Sequence, residues 1–119
     1  MDWIGHHCDI AHWGLDFDKT GPVEISGYGE YPKTGLFNTA TKYRIDTKYL
    51  NGVKMIIAGG HPDVCNGTMG TKWIGDEGWI WVSRDIAIDA SNKLLLNDTI
   101  KPNEIHLFKS PGHWRNFLD

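Results

Sequence analysis

Little in this sequence points to a cross-linked, membrane-borne or nucleic-acid-binding chain. Its 119 residues hold two cysteines, Cys8 and Cys65. That is too few for a disulfide framework, and both are read as small buried thiols. A bridge between them is not legible from sequence. No apolar run reaches the roughly 18 residues that suggest a transmembrane helix. The formal charge is only −3, with both signs interspersed. The basic patch or stripe that nucleic-acid binding requires is therefore missing. The N-terminus also lacks the basic segment and apolar stretch of a secretory leader. The cytoplasm is then the default compartment, unless an export signal has been lost with a missing N-terminal segment. Phosphate cradles are absent too: Gly27-x-Gly29 lacks a third glycine and a following helix, and no Gly-Lys-Ser/Thr occurs. No internal repeat or low-complexity segment is visible.

The chain is long enough for one domain, residues 1–119, with its own core. Six tryptophans and fourteen glycines suggest aromatic-faced strands joined by tight turns. The opening stretch, residues 4–15, has helical spacing, with about 100° between successive residues. Asp2, His6, Asp9 and Trp13 then share one stripe, and Ile4, Cys8, Ala11 and Leu15 share the opposite one. Gly14 and the turn formers of Asp16–Pro22 end this helix.

Residues 23–31 alternate as a strand whose glycines suggest a bulge or a close neighbour. The clearest strand is 39–50, with Thr41, Tyr43, Ile45, Thr47 and Tyr49 on one face and Lys42, Arg44, Asp46 and Lys48 on the other. Asn51-Gly52 predicts a hairpin into Val53–Ile57. Residues 59–70 read as a loop. A second hairpin runs from Thr71–Ile74, through Gly75–Gly78, into Trp79–Arg84, with Trp79 and Trp81 on one face and Ile80 and Val82 on the other. Residues 85–103 show no clear period. A short strand over 104–109 and a helix from His113 to Asp119 complete the pattern, and the abrupt end suggests a chain cut from a longer protein. The expected architecture is α+β: a mainly antiparallel sheet of five or six strands, with the N-terminal helix packed on it and a short C-terminal helix.

Chemistry narrows quickly. A zincin-like metal pair needs two histidines at i, i+4 with a glutamate beside the first. The i, i+4 neighbours of His6 are Asp2 and Ile10, His7 pairs with Ala11, and His12 points away from His6. His61 and Cys65 stand four apart, but in a Pro/Gly loop. No metal site is expected. Ser83 and Ser110 lack a nucleophile elbow, and Cys8 lies on the apolar stripe, where a thiol is usually inert. That leaves proton transfer by Asp2 and His6. Histidine titrates near neutrality, and a carboxylate one turn earlier can fix its tautomer and raise its basicity. Such a pair suits removal of a hydroxyl proton while hydride leaves the same carbon.

The pattern Asp2-x-x-x-His6-x-x-Asp9-Ile10-x-x-Trp13 resembles the start of the C-terminal domain in the Gfo/Idh/MocA oxidoreductases. The similarity continues through Asp9–Leu15, Gly21–Ile25, Asn51–Lys54, Gly75–Ile80, Glu104–Leu107 and His113–Asp119, which look like the bacterial subgroup. The resemblance implies a substrate-binding and oligomerising domain from an NAD- or NADP-dependent dehydrogenase acting on a secondary alcohol of a sugar, cyclitol or related polyol. By position, Asp2 and His6 match the pair beside the reacting hydroxyl. Asp9 matches a capping or pairing position, and Trp13 one that packs helix on sheet. The nucleotide-binding glycines and the family's Glu-Lys-Pro lysine would precede Met1, and Lys101-Pro102 is not that motif. A fragment without them is expected to bind no cofactor and to be inactive alone. The rival expectation is a non-catalytic binding or oligomerisation module. For homo-oligomerisation, the candidate face is a sheet surface bearing Tyr43, Ile45, Tyr49 or Trp79.

Overall fold

The computed structural model describes residues 3–61, 69–83 and 87–118. It opens with helix α1 (Trp3–Gly14). Ala11 on the apolar stripe is buried, and Ile4, Cys8 and Leu15 are half-buried. Gly14 ends the helix, and Asp16 follows with φ 55°, the left-handed geometry that an aspartate tolerates better than most residues.

The first sheet is β1 (Glu24–Glu30), β2 (Lys42–Lys48) and β3 (Lys54–Gly59), antiparallel in that order. Its register places Ile25 opposite Thr47 and Tyr28 opposite Arg44, with Ile45 opposite Ile57 across the second pairing. The predicted alternation in β2 shows in part. Thr47 is buried and Tyr43 and Ile45 half-buried, while Lys42 and Lys48 reach solvent and pair with Glu30 and Glu24 across the strand. Arg44 and Asp46, on the polar face, are half-buried because each covers the other. The β2–β3 loop holds three residues, Leu50 to Gly52. It is closed by Tyr49 and Val53, with Gly52 at φ 87°, where a β-carbon would be strained.

The second sheet is β4 (Thr71–Gly75), β5 (Gly78–Ser83) and β6 (Ala87–Ala90), again antiparallel and in order. Gly75 and Gly78 pair directly, so the turn shrinks to Asp76-Glu77. Every residue of β5 is half-buried, as expected for a strand with apolar side chains on both faces. β6 was not legible in the sequence. Beyond it lie a single 3₁₀ turn, Lys93–Leu96, capped by the Asn92 side chain, and then helix α2 (His113–Leu118).

Two expectations need correction. The strands do not form one sheet of five or six, but two sheets of three. The opening helix accounts for the break. It packs on β4, where the Thr71 hydroxyl donates to the His7 carbonyl at 2.9 Å and the Trp73 ring lies over Gly14. Its other contacts go to Tyr49, at the end of β2. A continuous sheet would need β3 and β4 hydrogen-bonded edge to edge, and α1 instead bridges the two. Residues 104–109 form no strand. They have no ladder partner, and the Lys101–Glu104 turn just before them carries the chain away in an exposed path.

Burial is shallow throughout. Ala11, Phe17, Tyr49 and Ala90 are the buried apolar residues among those described. The accessible surface is 10048 Å², against about 6,500 Å² expected for a compact 13.5 kDa monomer. The radius of gyration, 16.5 Å, likewise exceeds the roughly 13.5 Å expected at this length. Ile25 on β1, 67% exposed, and Ile74, Ile88 and Leu94 are left with apolar surface in water.

Candidate active site

His6 sits near the start of α1 with its side chain exposed. Its ring lies 5.8 Å from that of Trp3. Among the described residues no hydrogen bond restrains it, so both ring nitrogens are available to an incoming group. Asp2, its expected partner, lies outside the described residues, as does Cys65. Asp9 is exposed and has no hydrogen bond or ion pair among the described residues, and Trp13 is 38% exposed. The stripe of His6, Asp9 and Trp13 therefore faces out, and the stripe of Ile4, Cys8 and Ala11 faces in.

The side chains that seat the helix are different ones. His12 Nε2 and the Tyr49 hydroxyl are 2.5 Å apart, and the Phe17 ring packs on Tyr49 at 4.8 Å. Tyr49 is only 4% exposed. Burial pushes its hydroxyl above the usual 10.0, partly offset by the neighbouring Thr47 side chain, with the Cys8 thiol adding a smaller rise. Burial likewise pushes the Cys8 thiol above 9.0, which keeps it protonated and unreactive near neutrality. His12 was read only as pointing away from His6. Its partner stands 37 residues on, and no local pattern signals so distant a contact.

A second polar group lies on the charged face of the first sheet. The Arg44 guanidinium grips Asp46 through Nε and Nη2 at 2.9 and 2.8 Å. That hydrogen bonding holds the Asp46 carboxyl below its usual 3.8 and raises Arg44. Tyr28, opposite Arg44 in the register, meets the His61 ring edge-on at 5.8 Å. His61 Nε2 is buried without a hydrogen-bond partner. Sequence reading placed Arg44 and Asp46 on one face, but Tyr28 and His61 join them only through pairing and loop placement. Among the described residues, no three His, Cys, Asp or Glu side chains are grouped to hold a metal ion.

Gly27-x-Gly29 is not shaped as a dinucleotide cradle. Gly27 lies within β1, and a β-carbon there would meet the Arg44 carbonyl at 2.6 Å. Its missing side chain thus serves close strand packing, with no loop or helix N-terminus to receive a pyrophosphate. Two cavities also lie away from His6. One of about 520 Å³ adjoins Gly14, Trp73 and the β4–β5 hairpin, and one of about 350 Å³ adjoins Ile88 and Ile100. Gly14 is eight residues past His6 on the helix, roughly 12 Å along its axis.

No family model matches the sequence. No curated protein and no solved structure matches it either. Among the described residues, no helix is long and apolar enough to cross a membrane.

Proposed function

We propose that the chain is the substrate-binding and assembly domain of a Gfo/Idh/MocA-type dehydrogenase that acts, with NAD or NADP, on a secondary alcohol of a sugar, cyclitol or related polyol. His6 is the general acid/base, and Asp2, one turn earlier, fixes its tautomer. The exposed, hydrogen-bond-free imidazole of His6 on a helix otherwise seated by its opposite side carries this reading. A histidine with a purely structural role would be tied down as His12 is. This chain contributes the proton transfer at the hydroxyl oxygen and part of the substrate's surroundings. The nicotinamide belongs to a separate Rossmann domain, since Gly27, of the one Gly-x-Gly pair, is taken up by strand packing. The large unburied surface also supports an assembly role, through a homo-oligomer formed on a sheet face or through the nucleotide domain.

The test is polyol oxidation by the protein carrying its nucleotide domain, followed through nicotinamide absorbance. His6→Ala is expected to lower turnover about 10²–10⁴-fold, and unchanged turnover removes His6 from the mechanism. A second reading, a non-catalytic binding or oligomerisation module, is favoured by one observation: neither of the two cavities described includes His6. It prevails if the protein with its nucleotide domain binds polyols or self-associates without oxidising them. A small metalloprotein is the third class, and elemental analysis without stoichiometric metal removes it.

A further inference from the structure

A cavity of about 520 Å³ opens between the C-terminal end of α1 and the β4–β5 hairpin, a size within the range of small-ligand pockets. Trp73 and Ile80 are direct partners across the ladder, and Gly75 stands two residues on from Trp73, so all three take the same face of the second sheet. Leu95, from the 3₁₀ turn, adds to the lining. Gly75 leaves part of the space open, since a β-carbon there would meet nothing nearer than a backbone oxygen at 4.0 Å. The Trp73 Nε1 is buried beside Gly14 and sealed from the cavity, so the indole offers it ring carbon.

The charged side chains of the lining are of one sign. Asp76 and Glu77, the two residues of the hairpin turn, bring carboxylates to the cavity, and among the described residues no Lys, Arg or His lines it. Neither carboxylate has an ion pair among the described residues. Lys72, a basic side chain of the same hairpin, is held over the Trp79 ring at 4.0 Å. This combination selects by chemistry. Apolar walls give the hydroxyls of a polyol no partners, and two carboxylates repel an anion. A cation with an apolar body satisfies both parts.

We infer that this cavity binds a small organic cation, a primary amine on a short apolar body, with the body against Trp73, Ile80 and Leu95 and the ammonium at Asp76 and Glu77. Ile80 and Leu95 also line the neighbouring cavity of about 350 Å³, so the body has room to lengthen. Each further methylene buried should tighten binding about fourfold. The ammonium adds about two- to fivefold, the strength of a solvent-exposed ion pair. The site uses neither His6 nor the first sheet, and it does not depend on the dehydrogenase reading.

The experiment titrates the whole 119-residue chain, labelled with heavy nitrogen, with butyl-, pentyl- and hexylammonium, hexan-1-ol and hexanoate. The amide resonances of Gly75, Gly78 and Leu95 are followed. They are expected to shift saturably with the amines, the dissociation constant falling about fourfold per methylene. Hexan-1-ol should bind about two- to fivefold more weakly than hexylammonium, and hexanoate more weakly still. In Asp76→Asn/Glu77→Gln, altered only on the exposed turn, the amine should lose its advantage over the alcohol. Gly75→Leu fills the cavity without a backbone clash and should weaken hexylammonium at least about 15-fold, the loss of two buried methylenes. No saturable shift, or shifts centred elsewhere, overturns the inference. So does an alcohol or carboxylate that binds wild type as tightly as the amine, an advantage that survives in the double variant, or a Gly75→Leu chain, folded by its other amide resonances, that binds unchanged.

Discussion

The junction of His12, Phe17 and Tyr49 is where a small change should have the largest effect. Tyr49 is almost fully buried, its hydroxyl meets His12 Nε2 at 2.5 Å, and its ring rests on Phe17. Removing the ring in Tyr49→Ala deletes an aromatic from one of the few buried sites, which costs about 3–5 kcal/mol. The chain can spare little. Its unfolded form would expose roughly 19,600 Å², so the 10048 Å² left in the fold means that only about half is buried. A compact domain of this size buries about two-thirds, so the net stability belongs near the bottom of the usual 5–15 kcal/mol. Tyr49→Ala should therefore leave only about 0–2 kcal/mol, with up to about half of the chain unfolded at room temperature. Tyr49→Phe keeps the ring and removes only the hydrogen bond, for about 0.5–1.5 kcal/mol. Urea melts of the wild type, Tyr49→Phe, His12→Ala and the double variant should show a coupling of about 1 kcal/mol between the two positions. Additive losses, or a Tyr49→Ala protein less than about 1 kcal/mol weaker than wild type, would refute the claim that this junction holds the helix.

Gly14→Ala adds a methyl 2.8 Å from the Trp73 ring. Overpacking of about 1–3 kcal/mol should exceed the gain in helix propensity of about 1 kcal/mol, so a raised melting temperature would contradict the packing described. Alkaline pH should also weaken the fold. Burial holds the Cys8 thiol and the Tyr49 hydroxyl above their usual 9.0 and 10.0, so the unfolded chain gives up these protons first. Their contribution is complete below about pH 9 and declines as pH rises through these values and the raised folded ones. Thermal melts above pH 9 should fall less steeply in Cys8→Ala than in wild type, and equal slopes would count against burial of the thiol.

Most local structure was readable because it follows from short-range rules. Twofold alternation placed Tyr43, Ile45 and Thr47 on one face of β2, and Asn51-Gly52 marked the turn, though the loop takes in Leu50 as well. β6 escaped because Ala87–Ala90 is only four residues long, with a single large apolar side chain, Ile88. Residues 104–109 misled for the opposite reason: an apolar alternation says strand only when an edge is available to pair with it. Of the proposed site, the Asp2–His6 spacing was readable in the sequence, and Asp2 lies outside the described residues. Tyr28, Arg44, Asp46 and His61 form a group only after strand register and loop placement bring them together.

By itself, then, the sequence determined the helix and its two stripes and both hairpins. Those features depend on the period of the backbone and on turn chemistry, and both act within a few residues. Only the tertiary structure decided that the strands divide into two sheets bridged by α1, and that His12 and not Trp13 pins the helix. Those outcomes depend on which distant surfaces exclude water from one another, a competition settled by packing and chain closure that no short stretch encodes.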